Sequence, residues 1–504
     1  MSVRYVDVLR AKMFERKMAV YLLAAATAFF FNTYLAYLYG SDIPFWDEWD
    51  AQGGHLFVPL LSGQYSVADL LSNHNEHRIF FGRVVWLTSY ALSGYWDVQL
   101  MMILNSLIHG ILVAVLIKTL SSKQNDNSFY LIAVSTVVIS LLPAGWENIL
   151  WGMQAVVYAL LLFALLANVV LSKARPLTEQ WALGTLLAVC SYLCMASGAL
   201  TLVPYILFSG YMFFLSRDWK YLVSIVIHGL LTGIMVFSIA KIGSSGGHSM
   251  EDLIHSFNSL VFLMSWPLPP TILSAFFLSA PFIIFTIATV RSRNSSSTAW
   301  GGILWTLWIY LHIALFAYGR GETTGLASRY ADIVVQITIA NVGFLVALLY
   351  RMRPARYLSV PVLGSIVWGI VVAILLVNQV KPSVAGLYSR WNASQYQQKN
   401  LERFLSSGDP QTLAGHPRTA IPYPSEERLI SLLRNPALQP VLPPSANLLN
   451  VRSGDKVPTV STFHVGIYHL KNFLLVASPF LAAICGIWLL TTAGMAMSKR
   501  WRSS

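Results

Sequence analysis

Residues 18–39, MAVYLLAAATAFFFNTYLAYLY, run without a charge and are followed closely by Phe45-Trp46-Asp47-Glu48-Trp49-Asp50. A helix of roughly 20 apolar residues crosses the hydrocarbon core of a bilayer. The run is too long for a removable signal peptide and lacks a small-residue cleavage site, so it is expected to remain as a helix. Three carboxylates just beyond a membrane edge are costly to place, and they mark where chemistry is to be sought.

Similar runs follow at 97–117, 129–143, 154–171, 181–197, 199–215, 221–241, 271–290, 300–318, 331–350, 357–378 and 472–492. Together they predict an all-α polytopic membrane protein of about twelve transmembrane helices. Composition agrees, because 56% of the residues are hydrophobic and 11% are charged, far from the balance of a soluble domain. Alternate loops are basic, from Arg4, Arg10, Lys12, Arg16 and Lys17 through Lys118 and Lys123 to Arg351, Arg353 and Arg356. Basic residues in short loops stay on the cytoplasmic side, which puts both ends inside and the first long loop, 40–96, outside. The net charge of +12 is spread one loop at a time instead of gathering on a face, which argues against nucleic acid as a partner. Cys190, Cys194 and Cys485 all fall in predicted spans and cannot staple an outside loop.

Four outside segments are long enough to matter. In 40–96, the stretches 67–71 and 79–92 are expected to lie along the interface. The segment 141–154 carries Trp146 and Trp151, read as headgroup-level anchors before sugar platforms, and Glu147. In 241–270 a glycine-rich tract leads into an amphipathic helix at 250–264, which suits either a mobile flap or an ordinary connection. The last, 379–471, is a small soluble unit following the transmembrane module of residues 1–378 and preceding the final helix and basic tail, 472–504. Helices are expected in it at 394–405 and 425–433, the second capped by Ser425 with Glu426 and Glu427 in its first turn. No catalytic constellation is evident there.

Asp47, Glu48 and Asp50 sit among tryptophans, where partial desolvation suits a carboxylate for general-base work on a hydroxyl. His74 and His77 share the i, i+3 spacing of Asp47 and Asp50. These four could hold a divalent cation such as Mg or Mn, but no strict ligand spacing supports it, and positioning by hydrogen bonds suits the histidines better. Glu76 lies between them. Arg78, Arg83, Arg320 and Arg329 are outside arginines that run against the topological trend, and guanidinium matches phosphate bidentately. Headgroup anchoring is the competing reading of each. Arg320, Arg329 and Tyr330 belong to a polar, glycine-containing loop, 318–332.

The combination of Phe45-Trp46-Asp47-Glu48-Trp49-Asp50, Asn75-Glu76-His77-Arg78 and Ser328-Arg329-Tyr330 resembles the GT-C superfamily of membrane glycosyltransferases. It is similar to the bacterial members that modify lipopolysaccharide or other surface glycans, including the serotype-converting type. The resemblance covers the topology and these short motifs, and is best over roughly the first hundred residues. It implies a GT-C-like fold in the bacterial inner membrane with its site facing the periplasm. It also implies an undecaprenyl-phosphate-linked sugar as donor, a surface-glycan or lipopolysaccharide hydroxyl as acceptor, and Asp47 as base with Asp50 as its competitor. Arg78, Arg320 and Arg329 would then stabilise the leaving phosphate, with His74, Glu76, His77, Glu147 and Tyr330 among the substrate contacts. Two rivals stay open: an O-antigen-type polymerase or ligase with a lipid-diphosphate donor, and a flippase for lipid-linked sugars. A flippase would place ionisable groups near the bilayer midplane and show repeated halves, neither of which is evident.

Overall fold

The computed structural model describes residues 2–121, 126–240, 250–293, 297–320, 326–352, 360–417, 419–446 and 461–501. The helices in chain order begin with α1 (Ser2–Tyr39), α2 (Val58–Leu61), α3 (Phe80–Ser93), α4 (Val98–Leu120), α5 (Asp126–Ser140) and α6 (Trp146–Leu150). They continue with α7 (Ala155–Leu171), α8 (Glu179–Tyr192), α9 (Val203–Ser216), α10 (Lys220–Ala240), α11 (Met250–Ser265) and α12 (Ile272–Arg291). The last are α13 (Ser297–Arg320), α14 (Ser328–Met352), α15 (Val360–Asn378), α16 (Val380–Ser407), α17 (Glu426–Leu433) and α18 (Thr462–Trp501). A π-helix covers Trp49–Phe57, and two short strands, β1 (Asn73–His74) and β2 (His77–Arg78), pair antiparallel.

Among the described residues, 11 helical stretches are long and apolar enough to cross a membrane. They divide by burial: the windows at Gly152–Leu171 and Ser328–Tyr350 are 72% buried, whereas that at Lys220–Ile239 is 17% buried. The first two are therefore central, and the last turns Leu230, Ile234 and Phe237 outward as a lipid-facing surface. The expected span at 181–197 is corrected. It ends early as the 14-residue α8, short of a full crossing length, because the chain turns back on itself. At that corner a Cβ on Gly198 would lie 2.3 Å from the Ser191 carbonyl, and Ser191 Oγ and Thr201 Oγ1 share a hydrogen bond of 2.7 Å.

Local chemistry explains several helix ends. Asp97 caps α4 by accepting from the Leu100 N–H at 2.9 Å, and Thr271 caps α12 through the Ser274 N–H at 3.0 Å. Pro281 inside α12 leaves the Phe277 carbonyl without its helical donor, and the Trp368 indole of α15 donates to it at 2.9 Å. A freed carbonyl in the hydrocarbon zone has to be satisfied by a neighbouring helix in this way. Gly110 lets α4 close on α1, since a Cβ there would meet the Ala25 carbonyl at 2.6 Å.

The late segment, 379–471, is not separate from the first loop in its described residues. Leu401, Phe404, Leu429, Leu438 and Val441 share one hydrophobic core with Trp49, Phe57, Trp86 and Trp96. The Trp46 N–H donates to the Pro422 carbonyl and the Trp96 N–H to the Val441 carbonyl, each at 2.7 Å. Its first helix also differs from expectation: only Gln379 separates the end of α15 from the start of α16, so the polar segment starts as a helix continuing out of the span predicted at 357–378. Ser425 caps α17, accepting from the Arg428 N–H at 3.2 Å.

Candidate active site

The three first-loop carboxylates have three different environments. Glu48 is fully buried and accepts from the Phe45 N–H at 2.6 Å and the Met153 N–H at 2.9 Å, joining its own loop to the turn after α6. Burial pushes its carboxyl up to about 8, against the lowering pull of both amides and of the Arg390 charge. Asp50, half-buried at the start of the π-helix, accepts from the Arg428 guanidinium at 2.8 Å and from the Tyr423 hydroxyl. Burial raises its carboxyl, but these two hydrogen bonds and the Arg428 charge outweigh it and hold the group below its ordinary value. The Tyr423 phenol, partly buried and bonded to that carboxylate, is pushed up to about 12.

Asp47 is the exception. It is partly exposed, and its side chain makes no hydrogen bond or ion pair among the described residues. It lies within electrostatic reach of Glu48, His74, Arg329 and Tyr423. Trp46, immediately before it, has φ 49, a left-handed conformation unusual for a bulky residue. The backbone therefore turns sharply where Asp47 projects.

Glu147 and Arg329, far apart in sequence, form one unit. The Arg329 N–H donates to Glu147 Oε2 at 2.9 Å and its guanidinium lies 3.7 Å from Oε1. Ser328 locks the same junction, accepting from the Glu147 N–H at 3.1 Å and donating to the Ala144 carbonyl at 2.7 Å. Asn148 donates to the Arg329 carbonyl at 3.0 Å and to Asp332 Oδ2 at 2.9 Å, and Tyr158 donates to the same oxygen at 2.8 Å. The Arg329 guanidinium lies 5.1 Å from the centre of the Tyr330 ring, and Tyr330 packs on Phe316. Beside this unit is a cavity of about 650 Å3, lined among others by Trp146, Glu147, Phe262, Trp266, Ser328 and Gln379.

The hairpin residues divide. His74 is largely buried with its Nε2 lacking a hydrogen-bond partner, and burial lowers its imidazole against the pull of Asp47. His77 faces the other way: its Nδ1 accepts from the Ala196 N–H at 3.4 Å, and its Nε2 lies 3.5 Å from Glu76. Arg78 donates to the Tyr192 hydroxyl at 3.0 Å and the Leu71 carbonyl at 3.1 Å. Arg83, buried under the hairpin, donates to the carbonyls of Leu70 and Ser72. The four residues considered for a divalent cation do not assemble, since Asp50 turns to Arg428 and His77 to Ala196. Among the described residues, no three His, Cys, Asp or Glu side chains are grouped as a metal site. The Arg320 side chain and the tract 241–249 lie outside the described residues.

One expectation needs correction. Trp151 is not a headgroup anchor; it is 5% exposed and donates to the Phe45 carbonyl at 3.1 Å. The late segment, in which no catalytic constellation is evident from the sequence, reaches the first-loop acids. Besides Tyr423 and Arg428, it brings Arg390, which is 8% exposed, stacks 3.9 Å from the Phe45 ring centre and lies within electrostatic reach of Glu48 and Glu147. The signal that flagged Arg329, an arginine in a segment predicted to lie outside, applies equally to Arg390 and Arg428. Asp332, an acid inside a predicted span, also carried a signal.

The chain matches no protein-family model, no curated protein and no solved structure.

Proposed function

We propose that the chain is a membrane glycosyltransferase of GT-C type. It would move a sugar from a polyprenyl-phosphate donor to a hydroxyl of a surface glycan or lipopolysaccharide on the periplasmic face of the bacterial inner membrane. The observation that carries this reading is Asp47, an unengaged carboxylate within electrostatic reach of Arg329 and next to two acids that are both committed to other partners.

An acceptor hydroxyl titrates far above neutrality and needs a base as its oxygen attacks the anomeric carbon. Asp47 takes that proton while the bond from the anomeric carbon to the phosphate oxygen breaks. The electron pair leaves on the lipid phosphate, whose added charge Arg329 is placed to meet. One direct displacement inverts the anomeric carbon and needs no carboxylate nucleophile. Arg390, stacked on Phe45 and near the Glu48 carboxyl, backs the loop that presents Asp47.

The test is a transfer assay with purified protein, a panel of undecaprenyl-phosphate sugars and a crude surface-glycan acceptor. Asp47→Asn should lower transfer by about 10²–10⁴-fold, the range for losing a positioned general base, with unchanged thermal stability. Asp50→Asn should act mainly on stability. Absence of transfer from every monophosphate donor, or full activity of Asp47→Asn, rejects the reading.

A further inference from the structure

The cavity beside Glu147 lies where α6, the end of α11, the start of α14 and the junction of α15 with α16 meet. Its walls include the rings of Trp146, Phe262 and Trp266. Among the described lining residues the one charge is the Glu147 carboxylate, and no lysine or arginine faces in. Arg329 pairs with that carboxylate but does not line the cavity. The carboxylate accepts the Arg329 N–H on one oxygen and keeps lone pairs for further donors. The Gln379 side-chain amide, which has no hydrogen-bond partner among the described residues, adds both a donor and an acceptor.

An anionic group entering this space would meet the Glu147 carboxylate and, among the described lining residues, no cation, since the Arg329 guanidinium is already paired with that carboxylate from outside the cavity, so phosphate is disfavoured inside it. A purely apolar chain would leave the Gln379 amide without a partner and the remaining lone pairs of Glu147 unfilled. A neutral ring with hydroxyl donors and an apolar face suits both sets of groups, and the volume falls within the usual range of small-molecule sites, about 300–1,000 Å3. We infer that the cavity binds a neutral glycosyl ring, its hydroxyls on Glu147 and Gln379 and its face on the indoles, with any attached phosphate held outside on the Arg329 side. The assignment rests on the transferase reading for which substrate carries the ring, but not for the binding itself.

The experiment uses full-length protein in lipid nanodiscs and photoprobes with one alkyl-diazirine tail and three kinds of head. These are a panel of neutral glycosides (gluco, galacto, manno, rhamno and N-acetylglucosamine), a phosphate and a free hydroxyl. Labelled peptides are mapped by mass spectrometry. At least one glycoside should label the segments holding Trp146 and Trp266 at least about tenfold more than the phosphate or alcohol probe, roughly what one hydrogen bond to a charged group is worth. The matching methyl glycoside should compete. Ala327→Trp, which narrows the cavity, and Gln379→Ala, which removes only the free amide, should each lower that labelling several-fold. Equal labelling by the alcohol makes the cavity a tail pocket, and strongest labelling by phosphate makes it an anion site. Either result, or no glycoside labelling there, overturns the inference. Cavity labelling without transfer from any donor would reject the transferase and leave the pocket standing; transfer without cavity labelling would do the reverse.

Discussion

Glu48→Gln tests how the first loop is held. In the folded protein the Glu48 carboxyl titrates at about 8, against 4.5 as an ordinary glutamate, because burial outweighs the amides that favour its charge. A raised carboxyl means that the folded state binds the extra proton between these values, so stability is greatest below the lower one and falls as pH rises through the upper one. At roughly 1.4 kcal/mol per unit, the full loss from this one group is of order 5 kcal/mol. Glutamine cannot titrate, and it replaces one acceptor with an NH2 that faces a backbone N–H, which costs about 1–3 kcal/mol at every pH. Wild type should therefore be the more stable at about pH 5, and the variant should draw level or overtake it by about pH 8.5. Thermal unfolding of both proteins in nanodiscs across that range reads the difference, in which all other titrating groups cancel. Parallel curves would mean that Glu48 does not change its proton on folding, and the account of the buried staple would fail.

Arg428→Ala removes the partner that holds Asp50 down, and because the Arg428 side chain is 41% exposed it should cost only about 1 kcal/mol. Its signature is pH: a depressed carboxyl contributes stability above its unfolded pKa that is lost as pH falls, so acid-side melting should flatten in Asp50→Asn. Lys471→Met leaves Asp97 buried without the ammonium now 2.6 Å away, and should cost about 3–5 kcal/mol in a melting assay. Adding Asp97→Asn should recover much of that, since asparagine still caps the Leu100 N–H. Gly145→Ala places a Cβ 2.2 Å from Asp332 Oδ2; it should break the Asn148 and Tyr158 bonds to that oxygen, lower the melting temperature and mobilise Arg329, read by hydrogen exchange of the segment starting at Ser328.

What could be read from the sequence was what depends on neighbours along the chain. Apolar length gave most spans, and Ser425 with its two following glutamates gave the cap of α17. The run at 181–197 misled because Ser191, Gly198 and Thr201 make a corner through bonds that hydropathy does not register. The acids at 47, 48 and 50 were legible as a cluster, yet their division of labour was not. Glu48 is set apart by the Met153 amide, 105 positions away, and Asp50 by Arg428, 378 positions away. Nothing local in the sequence distinguishes a carboxylate that will be stapled from one that will stay unengaged.

That division also explains why the late segment belongs to the same structural unit as the first loop. A tryptophan held at positive φ costs of order 1–3 kcal/mol and persists only where its surroundings over-determine it. Trp46 is fixed from both sides. Its own N–H is held by the Pro422 carbonyl, Phe45 before it is covered by Arg390 and bonded to Glu48 and Trp151, and Asp50 beyond it is pinned by Tyr423 and Arg428. Three of these six anchors, Pro422, Tyr423 and Arg428, lie within seven positions of one another, and Arg390 comes from α16 of the same segment. The turn that presents Asp47 is thus built by three stretches of chain that meet only in the folded protein, and loosening the 390–428 region should release Asp47 before it disturbs the helices beneath.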